Sequence, residues 1–269
     1  MKEDNHKAEV IHTKIWKEES SVDNPFVADR CFCAGYDVYG ELLTKASWFE
    51  YLWLLFKLER PEPWEVELLE RIAVAIANPG IRDHSVRAAM NAGVGGSTSA
   101  STLMAALAVG AGQLGGAREV FIAMEWWNLC GTDMDAWEQL ITDPPKNRRA
   151  SVWGDIEHTP GFDPSGSSCA KPVLRTLEVL SSISQKENLA WLVKNREELE
   201  GHVKSPLSMS GVIATAFVDL GLTCDQAEMF YLFLRLPGAA AHALEQKKLG
   251  WKKYPFFGPA LKITNDPGE

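Results

Sequence analysis

The sequence predicts an all-α fold, and three observations predict it. No stretch keeps the apolar/polar alternation of a half-buried strand over any length. Two capping-box pairs, Ser47 with Glu50 and Thr223 with Gln226, stand at the head of apolar runs. Trp64, Leu68, Ile72 and Ile76 recur at every fourth position, which lines one face of a helix.

Taken in order, residues 1–28 are polar and weakly patterned and read as an N-terminal arm. Ser47 and Glu50 open a helix through Trp53, Leu54, Leu55 and Phe56, because the serine oxygen accepts a free N–H while the glutamate reaches back. Pro61 and Pro63 close that helix and open the next, which Pro79-Gly80 ends. Ala100 to Leu114 is mostly Ala, Gly, Ser and Leu, too short for a membrane span and suited to a buried helix packed closely on another. Residues 119–140 read as one or two helices with Trp126-Trp127 inside. Residues 143–172, rich in Gly, Pro, Ser and Asp, read as a long loop. Helical pattern returns over 173–180, 189–199 and 210–220. Thr223 and Gln226 start a further helix through Leu234. Pro237-Gly238 interrupts it before the pattern resumes over 239–248. No fixed-period repeat is present.

A chain of 269 residues suffices for one large domain, or for a large domain carrying a smaller one. With 46% hydrophobic and 23% charged residues, disorder over most of its length is excluded. The formal net charge of -9, with no strong basic run to offset it, argues against nucleic acid as a partner. A cationic pocket for a small anion stays compatible with that charge. No apolar segment follows Met1-Lys2-Glu3-Asp4, so a cytoplasmic chain without a secretory leader is expected. The five cysteines are scattered and odd in number, which predicts reduced thiols. Cys31-Phe32-Cys33 lacks metal-ligand spacing, and no metal is expected.

Four segments, in order, resemble the citrate synthase family, and especially the citryl-CoA lyase module of ATP-citrate lyase. The first is Gly35-Tyr36-Asp37-Val38, followed by residues 47–55 and Leu58-Glu59-Arg60-Pro61. The second runs from Ala77-Asn78-Pro79-Gly80 to Gly115-Gly116-Ala117, and the third is Ala216-Phe217-Val218-Asp219. The fourth and most specific is Leu234-Arg235 with Gly238, His242, Leu244, residues 245–249 and Tyr254-Pro255. The resemblance spans about Cys31 to Gly258. It implies a citrate-synthase-like fold, a large helical domain (29–117 and 221–269) with a smaller inserted helical domain (118–220), in a homodimer or paired with a paralogous subunit. It also implies an interdomain cleft for a coenzyme A thioester and a small carboxylic acid, with no resident cofactor.

The family's reaction makes or breaks a carbon–carbon bond beside a thioester carbonyl. A carboxylate moves the proton, histidines stabilise the enolate, and arginines grip carboxylates. Position by position, this sequence departs from that pattern. The histidine of the Ala-Asp-His motif falls at Pro79, and that of Leu-His-Gly-Gly-Ala falls at Leu114, where the lyase module also lacks histidine. The histidine of Gly-Phe-Gly-His falls at Asp163 or Pro164, after Pro160-Gly161-Phe162. The family base falls at Ser210, a poor base without a partner. Arg235 matches the substrate-carboxylate anchor, with a plain ion pair as the alternative.

Relocated chemistry would fall on Arg82-Asp83-His84, just beyond Pro79. Arg82 would bind substrate there, and His84 would be acid or base, tuned by Asp83 or Arg87. The competing reading makes Asp83 a helix N-cap and His84 an exposed first-turn residue. Asp163 is a candidate base or a turn former, and His158 a lesser candidate of the same kind. Arg148, Arg149 and Lys171 flank the long loop and are candidates for coenzyme A phosphates, or members of a solvated loop. Residues 93–98 (Gly-Val-Gly-Gly-Ser-Thr) lack the Lys-Ser/Thr ending of a phosphate loop, and close helix packing explains them better. His242 reads as structural, and the tryptophans as core. Three functions are compatible: a divergent carbon–carbon lyase or acyltransferase on a coenzyme A thioester, a non-catalytic pseudoenzyme or partner subunit, and a thioester hydrolase using Ser210 or Cys169.

Overall fold

Many of the helices begin where the sequence supplies a side-chain oxygen. In the computed structural model, which describes residues 11–145 and 158–254, Ser47 accepts from the Glu50 amide at 3.2 Å, and Glu50 returns the bond to the Ser47 amide at 2.6 Å. Thr223 and Gln226 repeat the exchange at 3.2 and 2.9 Å. Asp83, Thr98, Asp133 and Ser208 also cap helices through their side chains.

The chain divides into two units, residues 1–70 and 71–269. The first holds a small antiparallel sheet in the order β1 (Lys17–Ser20), β2 (Ala28–Cys33), β3 (Tyr36–Asp37). A π-helical turn (Val38–Leu42) and a short α1 (Leu43–Lys45) lead to α2 (Trp48–Lys57). The sheet was not expected from sequence. Its strands are short and largely exposed, and only Cys31 and Cys33 show the alternation that marks an inward face. That alternation accounts for the Cys-Phe-Cys spacing. Both thiols are free, and burial pushes the Cys33 thiol pKa upward. β1 also falls within residues 1–28, so part of the predicted arm is paired strand.

α3 (Pro63–Ile76) buries Leu68, Ile72 and Ile76, as the four-residue period predicts. The second unit continues with α4 (His84–Val94), α5 (Ser99–Gly110), α6 (Ala117–Cys130), α7 (Met134–Thr142), α8 (Lys171–Ile183), α9 (Asn188–Val203), α10 (Met209–Asp219) and α11 (Cys224–Leu249). A 3-10 turn, Trp251–Lys253, follows. Small residues draw α4, α5 and α11 together around Val86, Ala89, Ala106, Ala239 and Ala243. A Cβ at Gly93 would lie 2.7 Å from the Ala243 carbonyl oxygen, so the glycine permits the α4–α11 approach. Aromatic packing joins α6, α7 and α9. Trp127 meets Trp137 and Trp191 edge-on at 5.0 and 5.8 Å.

Two helices differ from expectation. α11 runs unbroken through Pro237, where an interruption is predicted. Proline removes one helical donor, and the next amide, Gly238, donates outside the helix to the Ala77 carbonyl at 2.7 Å. The residue must be glycine there, because a Cβ would fall 2.3 Å from that oxygen. α5, expected to be buried, buries only the stripe Thr102, Ala106 and Gly110, and leaves Met104 and Val109 exposed. Among the described residues, no helix is long and apolar enough to cross a membrane.

Candidate functional site

The best-placed cation is Arg235, on α11 and buried. Nη1 donates to the Gly115 carbonyl at 2.8 Å, and Nη2 donates to Asp83 Oδ2. Tyr231, one turn earlier, presents its ring 4.8 Å from the guanidinium and donates its hydroxyl to the same Gly115 oxygen at 3.2 Å. Burial, above all, pushes the Tyr231 phenol up to about 12, against the lowering effect of Arg235. Asp83 serves two structures at once. Its Oδ1 caps α4 by accepting from the Ser85 and Val86 amides at 2.9 and 3.3 Å and from the Ser85 hydroxyl, while Oδ2 faces Arg235.

Gly115 connects this pair to a second buried group. It sits in the turn before α6 with φ of +67°, where glycine is the favoured residue. Its amide donates to Glu119 Oε2. Glu119 Oε1 accepts from the Gly161 amide at 3.0 Å and the Ser210 hydroxyl at 2.7 Å. His158 Nε2 lies 3.7 Å from Glu119 Oε2 and makes no hydrogen bond among the described residues. One carboxylate therefore gathers the α6 turn, the loop around Gly161 and the start of α10. Backbone contact reinforces the last two. Ser208 donates its amide to the Gly161 carbonyl at 3.0 Å, and Asp163 donates to the Pro206 carbonyl at 2.8 Å. A Cβ at Gly211 would lie 2.2 Å from the Gly161 oxygen, so only glycine allows this crossing.

The residues singled out from sequence fall in different places. Ser210 is buried, bonded to Glu119 and 2.6 Å from the Ser208 hydroxyl. Arg235 is buried against Asp83. Arg82 and His84 are exposed on either side of the Asp83 cap. Asp163 is exposed and accepts from the Ser165 amide at 2.9 Å, the geometry of an Asx turn. Lys171 is exposed at the start of α8, and Arg148 and Arg149 lie outside the described residues. Among the described residues, no hydrogen bond or ion pair joins His84 or Asp163 to Arg235 or Ser210. Cys169 donates to the Leu207 carbonyl at 3.5 Å. Desolvation, with Glu200 beside it, pushes its thiol pKa up, which disfavours the thiolate a nucleophile needs. His242 pairs with Asn78 Oδ1 at 3.1 Å.

Glu119 and Tyr231 were missed by the sequence reading. The available signal was Gly115-Gly116 followed by a glutamate in the first helical turn, a pattern that usually marks dipole complementation on a surface. Asp219 is likewise a buried carboxylate, and it accepts from Ser184, Asn188 and Leu189 to hold the start of α9. No group of three or more metal-ligating side chains occurs among the described residues.

Comparison by sequence finds no matching family model and no matching curated protein. Comparison by structure finds close agreement. Citryl-CoA lyase from Hydrogenobacter thermophilus superposes with a TM-score of 0.72 at 17% identity, covering 97% of both chains. ATP citrate lyase from Methanothrix soehngenii, in complex with citrate and coenzyme A, gives 0.73 at 17% identity, with 98% of this chain matching 43% of that one. Citrate synthase from Thermoplasma acidophilum gives 0.59 at 17% identity over 83% of this chain and 60% of that one. The chain thus has the citrate-synthase-type helical fold, extending over nearly the whole length of a citryl-CoA lyase.

Proposed function

We propose that this protein is a cytoplasmic, homodimeric, divergent relative of citryl-CoA lyase that acts on a coenzyme A thioester. It makes or breaks a carbon–carbon bond with a small carboxylated carbonyl partner. The supporting observation is the near-complete mutual coverage with a citryl-CoA lyase, 97% of each chain. In this reading residues 29–117 and 221–269 form the large domain, 118–220 the small domain and 1–28 the arm. The exposed Met104 and Val109 of α5 suit burial in a dimer. Arg235 anchors a carboxylate, Arg82 assists, and Arg148, Arg149 and Lys171 meet the thioester's phosphates.

Ser210 has the partner that a serine base requires. Its hydroxyl already donates to Glu119 Oε1. A substrate proton passes to Ser210 Oγ as the serine's own proton passes to Glu119, which leaves the serine neutral throughout. His84 and Asp163 are the remaining acid–base candidates, and each would have to turn toward the ligand from its exposed position.

A second reading, a non-catalytic ligand-binding or partner subunit, is favoured by one specific observation. Arg235 is already paired with Asp83, and among the described residues no hydrogen bond or ion pair links His84 or Asp163 to Arg235 or Ser210. A mass-spectrometric turnover assay separates the two. The purified protein is offered citryl-CoA, citramalyl-CoA and related 3-hydroxyacyl-CoA thioesters, and acetyl-CoA with 2-oxo acids. Cleavage or condensation is expected, and its loss in Arg235→Ala and Ser210→Ala. Tight thioester binding by calorimetry without turnover would establish the second reading instead.

A further inference from the structure

The Arg235 pocket differs from an open anion site in one respect: it already contains an anion. We infer that Asp83 is a resident carboxylate which occupies the ligand face of Arg235, so that the site discriminates against strongly anionic partners and takes a small carbonyl compound of lower charge than citrate. This inference rests on the proposed role of Arg235 as substrate anchor and narrows the class of partner it accepts.

Three observations carry it. First, the guanidinium is enclosed by internal partners. Asp83 meets Nη2, the Gly115 carbonyl meets Nη1, and Tyr231 stacks against one face. Second, Asp83 is held in place from behind. The Ser85 and Val86 amides and the Ser85 hydroxyl all donate to Oδ1, which fixes the carboxylate with Oδ2 toward the arginine and lowers the entropic cost of the pair. Third, the cavity beside Arg235, lined by Ser85, Ala106, Gly110 and Ala239 among others, has a volume of ≈ 10 Å³. That is space on the order of one water. A ligand carboxylate that approaches Nη2 therefore does so beside Asp83. That places two negative groups on one positive charge in a poorly solvated setting. A partner with a single carboxylate brings less of that repulsion than citrate does.

Asp83→Asn is the informative change, because asparagine caps helices as well as aspartate does. The variant keeps the shape and the cap while leaving Arg235 without its counter-charge. Citrate and pyruvate are titrated calorimetrically into the full-length wild type, Asp83→Asn and Asp83→Asn/Arg235→Ala. Circular dichroism melts check folding, and Asp83→Ser, which retains a capping oxygen, is carried in parallel. The expected result is citrate affinity at least tenfold higher in Asp83→Asn than in wild type, a smaller gain for pyruvate, and loss of the gain in the double variant. Equal citrate affinity in wild type and both Asp83 variants would overturn the inference, as would a gain that survives removal of Arg235.

The turnover assay keeps the two proposals apart. Turnover by wild type without a citrate gain in the Asp83 variants leaves the proposed function standing and removes this inference. An Arg235-dependent gain in a protein that turns over no thioester supports this inference and removes the lyase activity.

Discussion

The two buried charges at the centre of the second unit are satisfied in opposite ways. Arg235 has a formal counter-ion in Asp83, a carbonyl and an aromatic face. Glu119 is met by two backbone amides and a hydroxyl, with the His158 imidazole 3.7 Å away. The first arrangement pairs opposite charges within the chain. The second is a carboxylate held by neutral donors from three separate segments, which ties the chain together and keeps an ionisable group next to a hydroxyl. Charge compensation at one end and dipolar solvation at the other explain how one helical core holds both groups against Gly115.

The largest effect is expected at the dipolar end. Glu119→Ala strands the Gly115 and Gly161 amides and leaves Ser210 only the Ser208 hydroxyl, and at roughly 1–3 kcal/mol per orphaned group it should lower stability by about 4 kcal/mol in urea unfolding. A loss under 1 kcal/mol would show that the three segments do not depend on it. Removing the cation in Arg235→Met should cost about 3 kcal/mol, the scale for breaking a buried pair. A double-mutant cycle with Asp83→Ala measures the coupling, and strict additivity would dissolve the pair.

Tyr231 sharpens the contrast through pH. Its phenol is raised to about 12 from the ordinary value of 10.0, so the unfolded chain releases this proton first as pH climbs. The contribution is complete below pH 10 and is lost between pH 10 and about 12. Tyr231→Phe should flatten that part of the alkaline stability profile by ~2 kcal/mol, and an unchanged slope would place the phenol in an ordinary environment. The smallest effect is local. Thr223→Ala removes the α11 cap and should cost about 1 kcal/mol without altering ligand binding.

Features governed by neighbours a few residues apart were legible in the sequence. The capping boxes at Ser47 and Thr223, the α3 stripe and the Asp83 cap all appear as read. The ordered segments that resemble the citrate synthase family pointed to the fold that the structural comparison supports. The short sheet escaped notice because two inward residues, Cys31 and Cys33, are too few to establish a period. Pro237 was read as a break because its replacement partner, the Ala77 carbonyl, is remote in sequence.

By itself, then, the sequence determined the helical class and the main helix starts. Only the tertiary structure decided what stands opposite each buried charge. Asp83 and Arg235 are 152 positions apart, and Glu119 and Ser210 are 91 apart. Caps and periodicities are short-range and leave a local mark in the chain. A buried ion pair is drawn from whichever distant carboxylate or cation the packed helices bring within reach, and no spacing rule records that choice.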